Sequence, residues 1–178
     1  MKKNILVIFA LISLSIVNAY SNGNINVNIP DSILYENAVK AIENGKFVIK
    51  ANTLSYKQGR SGNMDSASNF IVWDTEKATI QVHPNNPGAS DASPVLQEGK
   101  VSNLKQRYSK KGDVLLDAKV QNGPFIIKMN IRLKKGTNIA HVRVSSIGNN
   151  EDFTLVGTLI PGDITEVNAV PVIGVRRL

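Results

Sequence analysis

The pattern of apolar and polar positions changes period along the chain, and each change marks an element. Residues 5 to 17 form an apolar run of about thirteen residues, broken by Ser13 and Ser15. From Ile33 to Ile42 the apolar positions Ile33, Leu34, Ala38, Ala41 and Ile42 recur at spacings of three and four, one face of a helix. The spacing predicts a helix over 32–44, capped by Asp31 or Ser32 and stopped at Gly45. Beyond Gly45 the period falls to two, the signature of strands. Phe47, Ile49 and Ala51 alternate with Val48, Lys50 and Asn52 in a strand reaching Leu54 or Tyr56. A Gly/Ser/Asn-rich loop over 57–68 follows, then short strands over 70–73 and 78–83.

Residues 84–98 carry no periodicity and hold Pro84, Pro87, Gly88 and Pro94. A connection of that length is uncommon in a compact domain. A strand over 99–108 leads into the clearest part of the pattern. Val114, Leu116, Ala118 and Val120 face one way. Asn122-Gly123 signals a tight hairpin turn. Phe125, Ile127, Met129, Ile131 and Leu133 form the next inward set, and Ala140, Val142 and Val144 the one after. A turn over 148–152 precedes a final strand over 153–160, and the apolar tail with Val170, Val172, Ile173 and Val175 is expected to pack. One helix and about eight strands with short turns predict a mostly β fold, an antiparallel meander forming a lipocalin-like barrel or an open sandwich, with the helix against one opening.

The N-terminus changes the picture of where this domain works. Lys2 and Lys3, the apolar run and Val17-Asn18-Ala19 are the three parts of a secretory signal peptide, placing cleavage after Ala19. The run is shorter than the roughly 20 residues of a membrane-spanning helix, so an uncleaved anchor is the weaker reading. The predicted organisation is a signal peptide over 1–19, a disordered Asn-rich leader over 20–30 and one β-rich domain over 31–178. The expected location is outside the cytoplasm, periplasmic or extracellular, with no transmembrane segment after cleavage.

Composition narrows the chemistry. The chain has no cysteine, which excludes thiolate catalysis, thiolate metal sites and thiol redox function. Its formal charge is +7, falling to about +5 without Lys2 and Lys3, an excess that serves solubility or attraction to anionic partners. His83 and His141 are the two histidines and lie at no metal-ligand spacing. No Gly-x-Ser-x-Gly elbow, calcium loop or marked pair of carboxylates is present. The Gly59-Arg60-Ser61-Gly62 loop lacks the Lys-Ser/Thr ending of a phosphate loop. The expectation is a protein without cofactor or metal and without a catalytic set.

The best surface signal is a basic strip. Lys119, then Lys128 and Arg132, then His141 and Arg143 fall on the outward faces of three successive strands. If these strands are neighbours they form one patch for an anionic glycan or lipid; nucleic acid is disfavoured because stacking aromatics are missing from that face. Trp73 and Tyr56 either line a pocket or belong to the core. The leading functional reading is a non-catalytic exported binding module for a small apolar ligand or a glycan. The alternatives are a structural or protein-interaction domain at the cell envelope, and a hydrolase. For the binding module, Trp73, Lys128, Arg132, His141 and Arg143 are the candidate contacts. The inward set Leu116, Met129, Ile131 and Val142 discriminates between a filled interior and a ligand chamber.

Several runs, in order, carry a family resemblance: Ala51-Asn52-Thr53-Leu54 with Gly59-Arg60; Asn69-Phe70-Ile71; Lys77-Ala78-Thr79-Ile80-Gln81-Val82; Gly99-Lys100-Val101-Ser102-Asn103; Lys111-Gly112; and Leu155-Val156-Gly157-Thr158-Leu159-Ile160-Pro161. Over about 38–178 the chain resembles domain-of-unknown-function family 4251, secreted proteins of Bacteroidetes. The resemblance implies export from a Gram-negative cell and a β-rich domain preceded by a helix, and transfers no activity and no functional residue. Relatives carry glycine-rich loops where this chain has the Pro- and Asn-rich stretch 84–94.

Overall fold

A computed structural model describes residues 29–57, 59, 61–83, 95–147 and 152–162. Among these residues one helix, α1 (Asp31–Glu43), precedes nine strands: β1 (Lys46–Tyr56), β2 (Ser61–Asn63), β3 (Phe70–Asp74), β4 (Lys77–Val82), β5 (Val95–Tyr108), β6 (Val114–Asn122), β7 (Phe125–Leu133), β8 (Ile139–Ile147) and β9 (Asp152–Pro161). The strands from β3 to β9 pair in chain order and antiparallel, and β1 joins the two ends of this sheet. On one edge β1 pairs with β3 through Lys46–Lys50 and with β2 through Thr53–Ser55. On its other edge it pairs with β9 from Phe47 to Tyr56. The result is a closed barrel of eight strands with β2 as a short side piece. Closure settles the choice between barrel and sandwich.

The interior is filled by the inward half of each alternating strand. Phe47, Ile49, Trp73, Ile80, Val114, Leu116, Val120, Met129, Ile131, Leu133, Val142 and Leu155 lie in one continuous buried cluster. Phe47 and Trp73 stack with ring centroids 5.4 Å apart. Leu116, Met129, Ile131 and Val142 are 0–3 % exposed, so this set packs against its neighbours, as expected of a barrel of this strand number.

Helix α1 covers the end of the barrel where β1 begins and β9 finishes. Ala38, Ala41 and Ile42 enter the interior cluster, and the Tyr35 hydroxyl donates to the Gly112 carbonyl in the β5–β6 turn at 3.3 Å. Its boundaries agree with the pattern to one residue, but its start differs. Neither Asp31 nor Ser32 caps it; Pro30 holds the N-cap position, and its carbonyl accepts from the Ile33 and Leu34 amides. Ile33, expected on the buried face, is 46 % exposed, as its first-turn neighbours Asp31 and Ser32 are exposed; burial begins at Ala38. At the other end Gly45 takes φ +65° and stops the helix as expected.

Four further expectations are corrected. The loop over 57–68 contains β2, held to β1 by backbone pairing that leaves no side-chain pattern. Strand β5 starts at Val95 rather than Gly99, because Val95–Lys100 pairs with β4. Phe125 sits at the β7 start, beyond the filled interior, and is 39 % exposed. Tyr56 is likewise outside the core and packs edge-to-face on Phe153, centroids 6.4 Å apart. The signal peptide, most of the leader, the stretch 84–94, the turn over 148–151 and the tail lie outside the described residues.

Two glycines stand where strands approach closely. A Cβ on Gly157 of β9 would stand 2.2 Å from the Lys50 carbonyl oxygen and 2.7 Å from the Ala51 Cα, where β1 bulges between Ala51 and Thr53. A Cβ on Gly99 of β5 would stand 2.5 Å from the Gln121 carbonyl oxygen. Strand glycines of this kind permit close backbone approach.

Candidate functional site: the outer face of β5 to β8

Alternation points Asp117 and Lys119 of β6, Lys128, Asn130 and Arg132 of β7, and His141, Arg143 and Ser145 of β8 away from the core. The register confirms that the three strands are neighbours. Lys119 lies opposite Lys128, Asp117 opposite Asn130, Asn130 opposite Arg143, and Arg132 opposite His141. The basic strip of the sequence is therefore one continuous face.

Its arginines are engaged by aspartates. Arg107 of β5 donates from Nε and Nη2 to Asp117 Oδ2 at 3.2 and 2.8 Å, while Asn130 Nδ2 donates to Asp117 Oδ1 at 2.7 Å. Arg143 grips Asp152 bidentately, Nε to Oδ1 at 3.0 Å and Nη2 to Oδ2 at 2.6 Å, and Ser145 Oγ lies 3.4 Å from the same Oδ1. Arg132 donates from Nε and Nη2 to Asp113 Oδ2 at 2.8 and 2.6 Å. Asp113 is buried at the β5–β6 turn, and its Oδ1 accepts the Lys135 amide at 3.1 Å. Fork-shaped guanidinium–carboxylate contacts of this type fix orientation as well as charge.

Among the described residues, the cations of this face that no carboxylate engages include Lys105 of β5 and, on β6 and β7, Lys119 and Lys128. The last two stand directly across from each other. Like charges placed opposite on neighbouring strands are destabilising. His141 is exposed beside Arg132. Trp73, the remaining candidate contact, is 1 % exposed inside the barrel against Phe47 and offers no surface.

The aspartates set an acid limit to the fold. The Lys135 amide and then the Arg132 guanidinium hold the Asp113 carboxyl below its ordinary range. Arg107 and then Asn130 do the same for Asp117, and Arg143 for Asp152. A carboxyl whose folded value is lowered contributes stability above its unfolded value, near 3.9, and loses it as pH falls through the folded value. Urea midpoints are expected to stay level from neutral pH to about 5 and to fall steadily below about 4. In Asp113→Asn the midpoint at pH 7 is expected to be lower and the acid decline shallower. An acid decline identical to that of the parent chain counts against the role assigned to Asp113.

Sequence reading missed two features of this chemistry. Asp113 stands in a turn with no local pattern to mark it, because its partners Arg132 and Lys135 lie two strands later. Asn69 and Gln81 are 1 % and 2 % exposed. Asn69 accepts the His83 amide at 2.6 Å and donates to the Asp65 carbonyl at 2.7 Å, and Gln81 donates to the Ser68 carbonyl at 3.0 Å. Both belong to the family runs, which was their only signal. A shallow groove of about 340 Å3 also lies between α1 and the barrel end, lined by Asn37, Lys40, Asn44, Lys46 and Pro161. No group of three or more His, Cys, Asp or Glu among the described residues is placed to hold a metal ion. No helix among them is long and apolar enough to cross a membrane.

A closed antiparallel barrel with a helix across one end and an Arg/Asp lattice on one outer wall defines the class, a small helix-capped β-barrel. Within that class the chain belongs to the family described as domain of unknown function (DUF4251), which matches residues 30–159. It is similar to the crystal structure of a DUF4251 family protein from Bacteroides eggerthii, with a TM-score of 0.66, 28 % identity, and coverage of 74 % of this chain and 89 % of that one. No curated protein matches it.

Proposed function

We propose that the protein is an exported, non-catalytic binding module that takes an anionic glycan on the outer wall formed by β6 and β7. The observation that carries this reading is the Lys119–Lys128 pair. Arginines of the same wall are neutralised by aspartates, whereas these two ammonium groups face each other with no carboxylate partner among the described residues. Such an arrangement costs stability and holds two donors ready for an external anion, with Ser145 of β8 opposite Lys128 as the next outward neighbour. The filled interior favours the wall over a ligand chamber. Export rests on the signal-peptide pattern of residues 1–19.

The test is retention of the mature chain on an immobilised sulfated glycan at about physiological salt, where surface electrostatics is already screened within roughly 8 Å. A Lys119→Gln/Lys128→Gln variant is expected to bind about tenfold more weakly, the equivalent of one charge-assisted contact of about 1.5 kcal/mol. It is also expected to be as stable as the parent or more so, by up to about 1 kcal/mol. The matched control, Lys134→Gln/Lys135→Gln, is expected to keep its binding. Equal losses in both variants, or no retention of the parent chain, would sink the reading. A second reading, a protein-interaction domain at the envelope, draws on Phe125 and Ile147, exposed at 39 % and 47 % on the β7–β8 rim. Partner capture that depends on that rim and ignores the lysines would favour it.

A further inference from the structure

Closure of the ring leaves part of one strand unused. Strand β5 pairs with β4 through residues 95–100, and the Val101 amide makes the last link, to the Glu76 carbonyl at 2.7 Å. Over residues 102–108 the strand runs on past the β3–β4 turn. There β6 holds one edge, with residues 105–108 against 114–117. Among the described residues no strand pairs with the other edge. The direction of the backbone follows from the Ser109 amide, which donates across the hairpin to the Asp113 carbonyl at 2.9 Å. Alternation then turns the amides and carbonyls of Gln106 and Tyr108 toward the open side. At about 3.3 Å per residue the open edge is roughly 20 Å long. Side chains leave it uncovered. Leu104 and Tyr108 are 51 % and 58 % exposed, whereas Leu116 and Val114, opposite Gln106 and Tyr108 on β6, are buried. Tyr35 of α1 reaches this hairpin at Gly112 and leaves Tyr108 open.

Unpaired strand edges take up further strands, and domains guard them with bulges and cations. Both guards are present. Strand β5 bulges between Ser102 and Lys105, with Asn103 at φ +53°. Residues 99–112 carry Lys100, Lys105, Arg107, Lys110 and Lys111 and no carboxylate. Glu76 approaches Lys100 and Asp117 binds Arg107, while the other three lysines have no ion pair among the described residues. In antiparallel pairing with a second copy of this edge, Lys105 and Arg107 would meet like charges, which is destabilising. A strand with carboxylates on one face and apolar side chains on the other meets no such barrier. Its carboxylates would lie beside Lys105 and Arg107, and its apolar side chains beside Leu104 and Tyr108. We infer that the 102–108 edge of β5 is a strand-addition site for an extended acidic segment of another protein, held by the backbone groups of Gln106 and Tyr108. The site uses neither Lys119 nor Lys128.

The probe is a synthetic peptide of about eight residues that alternates Glu and Val, a length matched to the open edge. Its control carries Lys in place of Glu. In the full mature chain, the Glu peptide is expected to slow amide exchange at Gln106 and Tyr108 by about tenfold or more. It is expected to bind about tenfold more tightly than the Lys peptide. Gln106→Pro removes an open-side donor and no bond to β6, a change that edge strands tolerate. This variant is expected to bind the Glu peptide about tenfold more weakly, with a urea midpoint near that of the parent. Should the proline lower the midpoint, Lys105→Gln/Lys110→Gln/Lys111→Gln decides instead, with a loss of about tenfold again expected. Lys119→Gln/Lys128→Gln is expected to bind the peptide like the parent, which separates this site from the glycan wall. No binding of the Glu peptide, or equal affinity for both peptides, overturns the inference. So does binding that leaves the Gln106 and Tyr108 amides unchanged. Protection of these amides already present in the free chain overturns it too. That result assigns the edge to the protein's own chain or, if protection grows with protein concentration, to a second copy.

Discussion

Phe47→Ala is expected to remove about 3–5 kcal/mol from the stability of the barrel. A domain of this kind has roughly 5–15 kcal/mol in total, so the variant sits close to unfolding. Phe47 is fully buried, stacks on Trp73 at 5.4 Å and lies on the strand that closes the ring. Removing its ring leaves a void among neighbours held by strand pairing on both sides, and the wall cannot collapse to fill it. Trp73 is the single tryptophan of the chain, so its fluorescence reports the loss directly. Urea unfolding followed at Trp73 is expected to show a midpoint far below that of the parent with the same slope. A midpoint shift worth less than about 1 kcal/mol would mean that the stacked pair is not part of the packed interior.

Gly157→Ala is expected to cost about 3 kcal/mol, at the upper end for an added methyl group. The new Cβ would meet the Lys50 carbonyl oxygen at 2.2 Å and Ala51 Cα at 2.7 Å, and these are backbone atoms with no rotamer to change. Relief requires β1 and β9 to separate where β1 already bulges. The damage should therefore be local as well as global. Amide exchange is expected to speed up along β1 and β9 first, while β6 and β7 keep protection closer to the global value. Uniform acceleration through all strands would show that the seam is not the weak point. The same argument explains why a glycine stands in the Leu155-to-Pro161 run, and Gly99 makes the parallel case against Gln121.

The strands from β6 to β8 were legible because each alternates cleanly and each turn is short. The tight turn falls one residue later than the Asn122-Gly123 pair suggested: Asn122 pairs with Phe125, and Gly123, at φ +56°, and Pro124 make the turn. The basic strip was legible for the same reason. The pairing of its arginines was not, since Arg132 meets Asp113 across 19 residues and Arg143 meets Asp152 across 9. Pairing across strands depends on register, which period alone leaves open. Strand β2 was invisible because Ser61, Gly62 and Asn63 have no apolar face. The run Phe70-Ile71-Val72-Trp73 held a clue of another kind. Four apolar residues in succession leave neither face for water, and all four are buried.

Among the described residues the β1–β9 seam joins the first strand to the last, and this governs when the ring closes. A polypeptide emerging from its N-terminus can pair β3 through β8 early, but the ring stays open until β9 arrives about 100 residues after β1. Contacts so distant in sequence slow folding, because loop entropy is lost before they form. In that interval β1 and β8 present unpaired edges, the template on which other chains add. A chain released before β9 is made would be an aggregation hazard rather than a smaller domain.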